Sequence, residues 1–238
     1  MKRLSAAIVL AAAAASAFSL GFGLKGGGPV RTEERRLSGF RSIEMSGAGE
    51  LRVKRGAAYR VAVTMDEDLL SSYESSVSGG VLRLGFRRGV AVTGLSRLEV
   101  EVTLPEFEGL SLSGAAEARL LDAFSGRAFS FEASGSSALS GRIEYGRVEL
   151  DLSGGCRLRL EGRADSLDLG LSGASVVDAA GLAARTARVE ASGASRIELR
   201  AEERLDVQTS GASSIRYYGD PKLKVGSSGA STVTKAGD

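Results

Sequence analysis

The residues best suited to chemistry are carboxylates that precede a recurring Ser-Gly pair at fixed distances. Counting back two or four residues from successive serines reaches seven acids and two bases. Five of the acids make up the candidate ligand site: Glu149, Asp151, Asp168, Glu190 and Asp206. If consecutive pairs lie on neighbouring strands, Glu149 and Asp168 stand about 4.8 Å apart. That distance would let them share a Ca²⁺, which takes oxygen ligands, and it approaches the ~5–5.5 Å between the carboxyls of retaining glycosidases. The rows predict a weak cation or glycan site.

Basic residues in the same rows favour a simpler interpretation. Arg188 takes the equivalent position between Asp168 and Asp206. An arginine between two acids forms a surface ion-pair ladder, which needs no ligand and contributes little stability. A solvated, solubilising face is therefore the alternative to a ligand site.

The sequence contains no histidine. This removes Ser-His-Asp and Cys-His catalysis and the commonest ligands of zinc and iron. Cys156, the only cysteine, takes a position where the equivalent residues are Gly, Ala or Ser, so we interpret it as a small-residue filler without an activating neighbour. The Gly-rich segments lack the Gly-Lys-Ser/Thr ending of a phosphate loop. We predict no catalytic residue, no built metal centre, no cofactor and no enzymatic activity.

The Ser-Gly pairs mark a repeat that runs through most of the chain. Their serines, here called the serine row, are Ser46, Ser113, Ser134, Ser153, Ser172, Ser192, Ser210 and Ser228. From the second serine onward the steps are 21, 19, 19, 20, 18 and 18 residues. The side chain is apolar five residues after each serine, as at Leu139, Leu158 and Val177, and these residues are predicted to stack in the core. It is also apolar three residues before each serine, as at Ile43 and Val207, and in most copies five before as well. Such spacing by two is typical of strands.

A single copy of this repeat cannot bury its apolar face alone. Stacked copies form parallel ladders that close one core, and the Ser-Gly step suits the corner between two strands because glycine allows positive φ. A β-sandwich, the rival fold, would alternate hairpins with Asn-Gly or Asp-Gly turns. The repeat therefore predicts an all-β parallel β-helix with rungs of 18–21 residues over residues 37–238.

The long first step of the repeat leaves room for an insertion at residues 54–105. Strand-like runs at Tyr59–Met65, Val81–Phe86 and Leu98–Leu104 accompany a short helix-like segment, Asp66–Tyr73. We expect this β-rich insertion to cap the first open edge of the solenoid. At the other end, Pro221 and three lysines, Lys222, Lys224 and Lys235, are expected to blunt the last edge.

The N-terminus has the pattern of a secretory signal. Lys2 and Arg3 precede a small-apolar run, and Ala15 and Ala17 give an A-x-A cleavage signal, so residues 1–17 are predicted to be removed. The alternative is an uncleaved membrane anchor, but the run is short of the roughly 20 apolar residues of a spanning helix. Residues 18–36 are interpreted as a flexible spacer. Without Lys2 and Arg3, 31 − 2 = 29 basic residues balance 29 acidic ones, and no clustered basic surface points to nucleic acid.

The Ser-Gly-Ala-Ser units, the Leu-Pro step at Leu104 and Pro105, and the Tyr-Gly-Asp-Pro segment from Tyr218 to Pro221 together carry a family resemblance. They resemble the putative auto-transporter adhesin head domain, or GIN domain, family. The resemblance extends from about Phe40 to Val233. It implies an exported, single-stranded, right-handed parallel β-helix of bacterial envelope proteins.

This combination predicts an exported envelope protein that acts as a binding or adhesion-like module. Its partner would be an unknown envelope component or a glycan, located in the periplasm or at the cell surface. The mature chain has no transmembrane segment, and the sequence leaves homo-oligomers open. Two alternatives remain: a β-helical polysaccharide lyase or hydrolase, and a purely structural envelope protein.

Overall fold

The structure is a computed structural model that describes residues 23–237. The predicted signal peptide, residues 1–17, and the start of the predicted spacer, residues 18–22, lie outside this range. The described chain is 73% strand and 3% helix, and it winds into a parallel β-solenoid of about 7 turns. The predicted all-β parallel β-helix is therefore confirmed.

The described chain contains seventeen strands and one 3-10 helix. The solenoid strands are β3 Ser42–Arg55, β9 Gly109–Leu120, β10 Phe124–Gly135, β11 Ala138–Gly154, β12 Arg157–Gly173, β13 Val176–Gly193, β14 Arg196–Gly211, β15 Ser214–Tyr218, β16 Lys222–Ser227 and β17 Thr232–Lys235. The remaining elements are β1 Leu24–Lys25, β2 Val30–Arg35, β4 Arg60–Asp66, the 3-10 helix Glu67–Ser72, β5 Tyr73–Ser78, β6 Val81–Phe86, β7 Val92–Thr93 and β8 Leu98–Leu104.

The core is built from ladders of equivalent apolar residues on successive rungs. Leu158 on β12 pairs in register with Leu139 on β11 and with Val177 on β13. All three side chains are at most 2% exposed. The alternation of apolar and polar residues along each strand places one row in the core and the next in solvent, so the predicted ladder is confirmed.

Glycine makes the sharp corner of each rung possible. Gly173 has a φ of 104°, and a Cβ atom at this position would approach the carbonyl oxygen of Gly154 on the rung below to 2.6 Å. Both features exclude a larger residue without strain. The Ser-Gly pairs stack in register because each glycine sits directly on the backbone of the previous one.

Buried serines link the corners of neighbouring rungs through hydrogen bonds to the backbone. The Ser175 hydroxyl accepts a hydrogen bond from the backbone N–H of Cys156 at 3.2 Å and donates one to the carbonyl of Gly154 at 3.2 Å. Ser195 and Ser213 make the same two contacts one and two rungs later. Cys156 takes the equivalent place in its own rung and is 1% exposed, which agrees with its interpretation as a small-residue filler.

The first rung, β3, pairs in parallel with β9 on one side and with β6 and β8 on the other. Beyond β8 the sheet becomes antiparallel, because β4 pairs with β8 and β2 pairs with β4. Strands from the 54–105 region thus lie against the open edge of the first rung. The predicted strands at Val81–Phe86 and Leu98–Leu104 coincide with β6 and β8, and the predicted helix-like segment contains the 3-10 helix.

Four strands of the N-terminal region were not predicted: the two-residue strands β1 and β7, which pair with each other, and the longer strands β2 and β5. β2 falls within residues 18–36, which we interpreted as a flexible spacer, and pairs antiparallel with β4 along its whole length. β5 pairs antiparallel with β6. Both segments are mostly polar and exposed, so they lack the apolar alternation that identifies a strand. Their order comes from backbone hydrogen bonds to a neighbouring edge. In the described chain, no helix is long and apolar enough to cross a membrane.

Candidate ligand groove

An open groove of about 1140 Å³ runs across the rungs on the outer face of the sheet that carries the serine row. Six serines of the row line it: Ser134, Ser153, Ser172, Ser192, Ser210 and Ser228. The residues two positions before each serine form a second lining row. Because the rungs stack in register, equivalent positions in these rows recur along the groove at a spacing of about 4.8 Å. The serine is present on each of these rungs, whereas the residue type in the second row changes from rung to rung.

Small residues shape the floor of this groove. Gly170 occupies the second row directly beside Asp151 in the ladder. A Cβ atom at Gly170 would come within 2.4 Å of the Asp151 carboxylate oxygen, so the acid leans across the space that the glycine leaves. Sequence spacing alone places Asp151 in the second row. It does not predict that the Asp151 side chain extends over Gly170.

Glu149 and Asp168 lie side by side in the ladder, as predicted. The guanidinium of Arg147 contacts the carboxylate of Glu149 and lies 3.7 Å from that of Asp168. Neither acid lines the groove. The positive charge between Glu149 and Asp168 is therefore supplied by Arg147, in the place where a bound Ca²⁺ was predicted. Across residues 23–237 no cluster of three or more Cys, Asp or Glu side chains could hold a metal ion.

Glu190 and Asp206 line the groove but are already paired. Arg188 hydrogen-bonds Glu190, and this bond together with the charge of Glu190 raises the pKa of the Arg188 guanidinium. Arg204 donates to Asp206 at 2.8 Å. The other carboxylate oxygen of Asp206, Oδ1, is buried without a hydrogen-bond partner. These pairs form within one strand, between residues two positions apart.

Asp151 differs from the other four candidates because no basic side chain within the described chain pairs with it. Partial burial raises the pKa of its carboxyl, and the nearby charges of Glu149 and Asp168 add to the effect. Glu132 lies beside Asp151 in the ladder and lines the groove, also without an ion pair within the described chain. Glu132 belongs to the same sequence row but was left out of the candidate set. The absence of a basic residue two positions before or after it was the available signal.

The opposite end of the groove is basic. Lys224 lines it without an ion pair among residues 23–237, whereas the nearby Arg188 and Arg204 are paired with Glu190 and Asp206. Unpaired carboxylates at Glu132 and Asp151 thus stand at one end and an ammonium group at the other. Hydroxyls of the serine row lie between them. The surface offers hydrogen-bond donors, acceptors and both signs of charge to an elongated polar molecule.

Comparisons with known proteins identify relatives of this fold. A family model described as "Putative auto-transporter adhesin, head GIN domain" matches residues 39–221. No curated protein sequence matches the chain.

Three solved structures are similar to the chain. A "putative adhesin" from Bacteroides fragilis NCTC 9343 has a TM-score of 0.86 at 18% identity, covering 90% of this chain and 100% of that one. A "putative adhesin" from Parabacteroides merdae ATCC 43184 has a TM-score of 0.75 at 20% identity, covering 90% and 99%. A "putative lipid binding protein" from Parabacteroides distasonis ATCC 8503 has a TM-score of 0.74 at 19% identity, again covering 90% and 99%. At such identities the similarity demonstrates a shared fold.

Proposed function

Since the chain belongs to the family of the auto-transporter adhesin head GIN domain, we propose that it is an exported, adhesion-like module that binds an extended glycan in the serine-row groove. The groove is the observation that carries the proposal. It crosses several rungs, is open to solvent, and presents polar groups at regular intervals. A linear glycan lying along the solenoid axis would meet a serine hydroxyl at each rung and carboxylate groups at some of them.

The unpaired carboxylates favour a particular ligand at the acidic end. A carboxylate without an ionic partner is a free acceptor for sugar hydroxyls or an amino group, and it repels an acidic sugar. We therefore expect neutral or amino sugars to be preferred at Glu132 and Asp151. The signal pattern at residues 1–17 predicts export, which would make envelope glycans accessible to the protein.

Binding without turnover fits the site better than hydrolysis. Glu149 and Asp168, whose spacing suggested a glycosidase pair, share Arg147. Incubation with uronate polymers and neutral polysaccharides checks this directly: released reducing ends or unsaturated products would support the lyase or hydrolase alternative.

The binding proposal is tested with a glycan array followed by calorimetric titration of the best hit. Replacing the two free acids, Glu132→Gln with Asp151→Asn, is expected to weaken binding about tenfold, or ~1.4 kcal/mol. Ser172→Tyr should block the middle of the groove and abolish binding.

Matched controls lie outside the groove, on the strand segments that follow the Ser-Gly corners. Glu161→Gln with Asp178→Asn removes the same chemical groups there, and Ser214→Tyr adds the same bulk to an exposed strand. Both controls should bind like the unmodified protein. Binding that survives Ser172→Tyr would move the ligand to another surface, and no binding to any glycan would leave the purely structural alternative.

A further inference from the structure

The charged residues that line the serine-row groove change in sign along the solenoid axis. On β10 and β11 they are the acids Glu132 and Asp151, which have no ion pair within the described chain. On β16 the charged lining residue is Lys224. The rungs between them carry one arginine and one acid each, joined by hydrogen bonds: Arg188 with Glu190 on β13, and Arg204 with Asp206 on β14. The groove is therefore negative over its first rungs, balanced in the middle and positive at β16.

The basic end carries positive charge in excess of its acids. Lys224 stands in register beside Asp206, but the Asp206 carboxylate already accepts a hydrogen bond from Arg204 at 2.8 Å. Two cations therefore share one acid. Lys222 lies two residues before Lys224 on the same face, beside Arg204 in the ladder and outside the groove lining, and it adds to the positive potential. This end of the groove attracts an acidic group.

The two charged ends are too far apart to neutralise each other. The ladder leads from Asp151 on β11 through β12, β13 and β14 to Lys224 on β16, which at ~4.8 Å per rung amounts to about 19 Å. Glu132 lies one rung further away. Potentials between exposed groups are screened over about 8 Å at physiological ionic strength. Each end therefore keeps its own potential, and a ligand with charge of a single sign would be attracted at one end and repelled at the other.

We propose that the groove selects an extended glycan that carries an amino group towards one end and a carboxylate or phosphate group towards the other. This inference rests on the proposed function and names the ligand class of the same groove. The ammonium group lies against Glu132 and Asp151, and the acidic group lies against Lys224. The uncharged middle of the ligand crosses the serine row, whose hydroxyls both donate and accept hydrogen bonds. The unlike ends also fix the direction in which the ligand lies.

Four probes built on one sugar chain test this proposal. They are the hexamer of β-linked N-acetylglucosamine, the hexamer with its non-reducing end deacetylated to an amine, the hexamer with its reducing end oxidised to a carboxylic acid, and the hexamer with both changes. An extended hexamer is long enough to span the two charged ends. In calorimetric titrations at low salt, each charged end group should strengthen binding about fivefold, and the two gains should multiply. Both gains should shrink at high salt.

Variants of the protein assign each gain to one end of the groove. Lys224→Met should remove the gain from the carboxylic acid and keep the gain from the amine. Glu132→Gln with Asp151→Asn should do the reverse. The control, Lys25→Met, removes a positive charge from β1, outside the groove, and should keep both gains. Comparing each charged probe with the neutral hexamer on the same variant separates the charge effect from any general change in affinity.

The outcomes separate this inference from the proposed function. Equal affinities for the four hexamers, or gains that survive Lys224→Met and the acid variant, would overturn the inference and leave glycan binding in the groove intact. Loss of a gain in Lys25→Met would overturn it as well. Binding that persists in Ser172→Tyr would place the ligand on another surface and overturn both. If none of the four hexamers binds, the inference is overturned, whereas the proposed function then depends on the other glycans of the array.

Discussion

At the scale of single residues, the buried serines explain how polar groups are accommodated inside a repeat protein. Each hydroxyl in the ladder of Ser175, Ser195 and Ser213 accepts from one backbone N–H and donates to one carbonyl of the rung below. A buried polar group costs little when its hydrogen bonds are made. Cys156 interrupts this ladder with a weaker donor and acceptor. Its sulfur lies 3.4 Å from the Ser153 carbonyl and 3.9 Å from that of Gly135.

Cys156→Ser should therefore be neutral or stabilise the fold by up to about 1 kcal/mol. The new hydroxyl can accept from the Ser137 N–H and donate to Gly135, as the serines of later rungs do. Ser175→Ala should cost about 1–3 kcal/mol, because the Cys156 N–H loses its acceptor. Urea unfolding of both variants measures the two values. Unfolding of the Cys156→Ser variant under native conditions would show that the thiol has another role.

Asp151 provides a prediction about pH. Burial and two nearby acids raise the pKa of its carboxyl above the ordinary 3.8, so the folded state holds this proton more tightly than the unfolded chain. The ionised form is thus disfavoured in the folded protein at neutral pH, and acidification relieves the penalty. Asp151→Asn should raise the free energy of unfolding at about pH 7, and the gain should vanish at about pH 3, where both states are protonated.

Urea midpoints at the two pH values test this, together with an NMR titration of the Asp151 carboxyl. Asp178→Asn, which instead loses a contact with Arg159, is the control outside the groove. A stability gain that is independent of pH would assign the effect to packing rather than to ionisation.

At the scale of the element, two corner glycines, Gly173 and Gly155, play different structural roles. Gly173 has positive φ and sits against the Gly154 carbonyl, whereas Gly155, the next residue of the neighbouring corner, has its closest non-neighbour atom at 3.9 Å. Gly173→Ala should destabilise the protein by at least about 1–3 kcal/mol through backbone strain. Gly155→Ala should be neutral or stabilise it by ~0.4–1 kcal/mol, because alanine restricts the unfolded chain. Thermal unfolding of the pair should separate them clearly, and equal effects would contradict this account.

The core ladder gives a second prediction at this scale. Leu158 lies between Leu139 and Val177, so Leu158→Ala should cost about 2–5 kcal/mol by leaving a cavity. Leu158→Asp would bury an unpaired charge and should prevent folding. Arg157→Asp places the same charge on the adjacent, exposed position and should fold normally. Circular dichroism and solubility distinguish these outcomes, and a folded Leu158→Asp protein would invalidate the register.

At the scale of the whole molecule, stacking of the rungs aligns the few polar side chains of each rung into one long groove. One rung supplies only a serine and one or two charged side chains, whereas the stack arranges them into a groove with an acidic and a basic end. The same stacking leaves two unlike ends, one covered by antiparallel strands and one open. Groove and open end are both properties of the assembly of rungs.

Export is the prediction that concerns the whole chain and lies outside the described residues. In a host with a general secretion pathway, the mature protein should begin within a few residues of Phe18, because Ala15 and Ala17 form the cleavage signal. N-terminal sequencing of the protein from the envelope fraction measures this. Recovery of protein that begins at Met1 from the cytosol would refute it.

The sequence by itself determined the rungs, their order, and the residues that face the core. The reason is that burial imposes a strict period of two on each strand, and a slip by one residue would turn every apolar side chain outward. Ile43 and Val207 were therefore assigned to the core from spacing alone, as was Leu158. The Ser-Gly corners were equally readable, because only glycine tolerates the backbone conformation there.

Only the tertiary structure decided that Glu149 and Asp168 share one arginine. Arg147 reaches Glu149 on its own strand and Asp168 on the next, and no burial constraint in the sequence predicts where an exposed guanidinium will lie. The polar strands β2 and β5 escaped prediction for a related reason, since backbone pairing with an available edge orders them without an apolar pattern. The solvent-facing rows of a solenoid accept many residue types. Which of their side chains contact each other depends on the distances between rungs, and these distances exist only once the chain has folded.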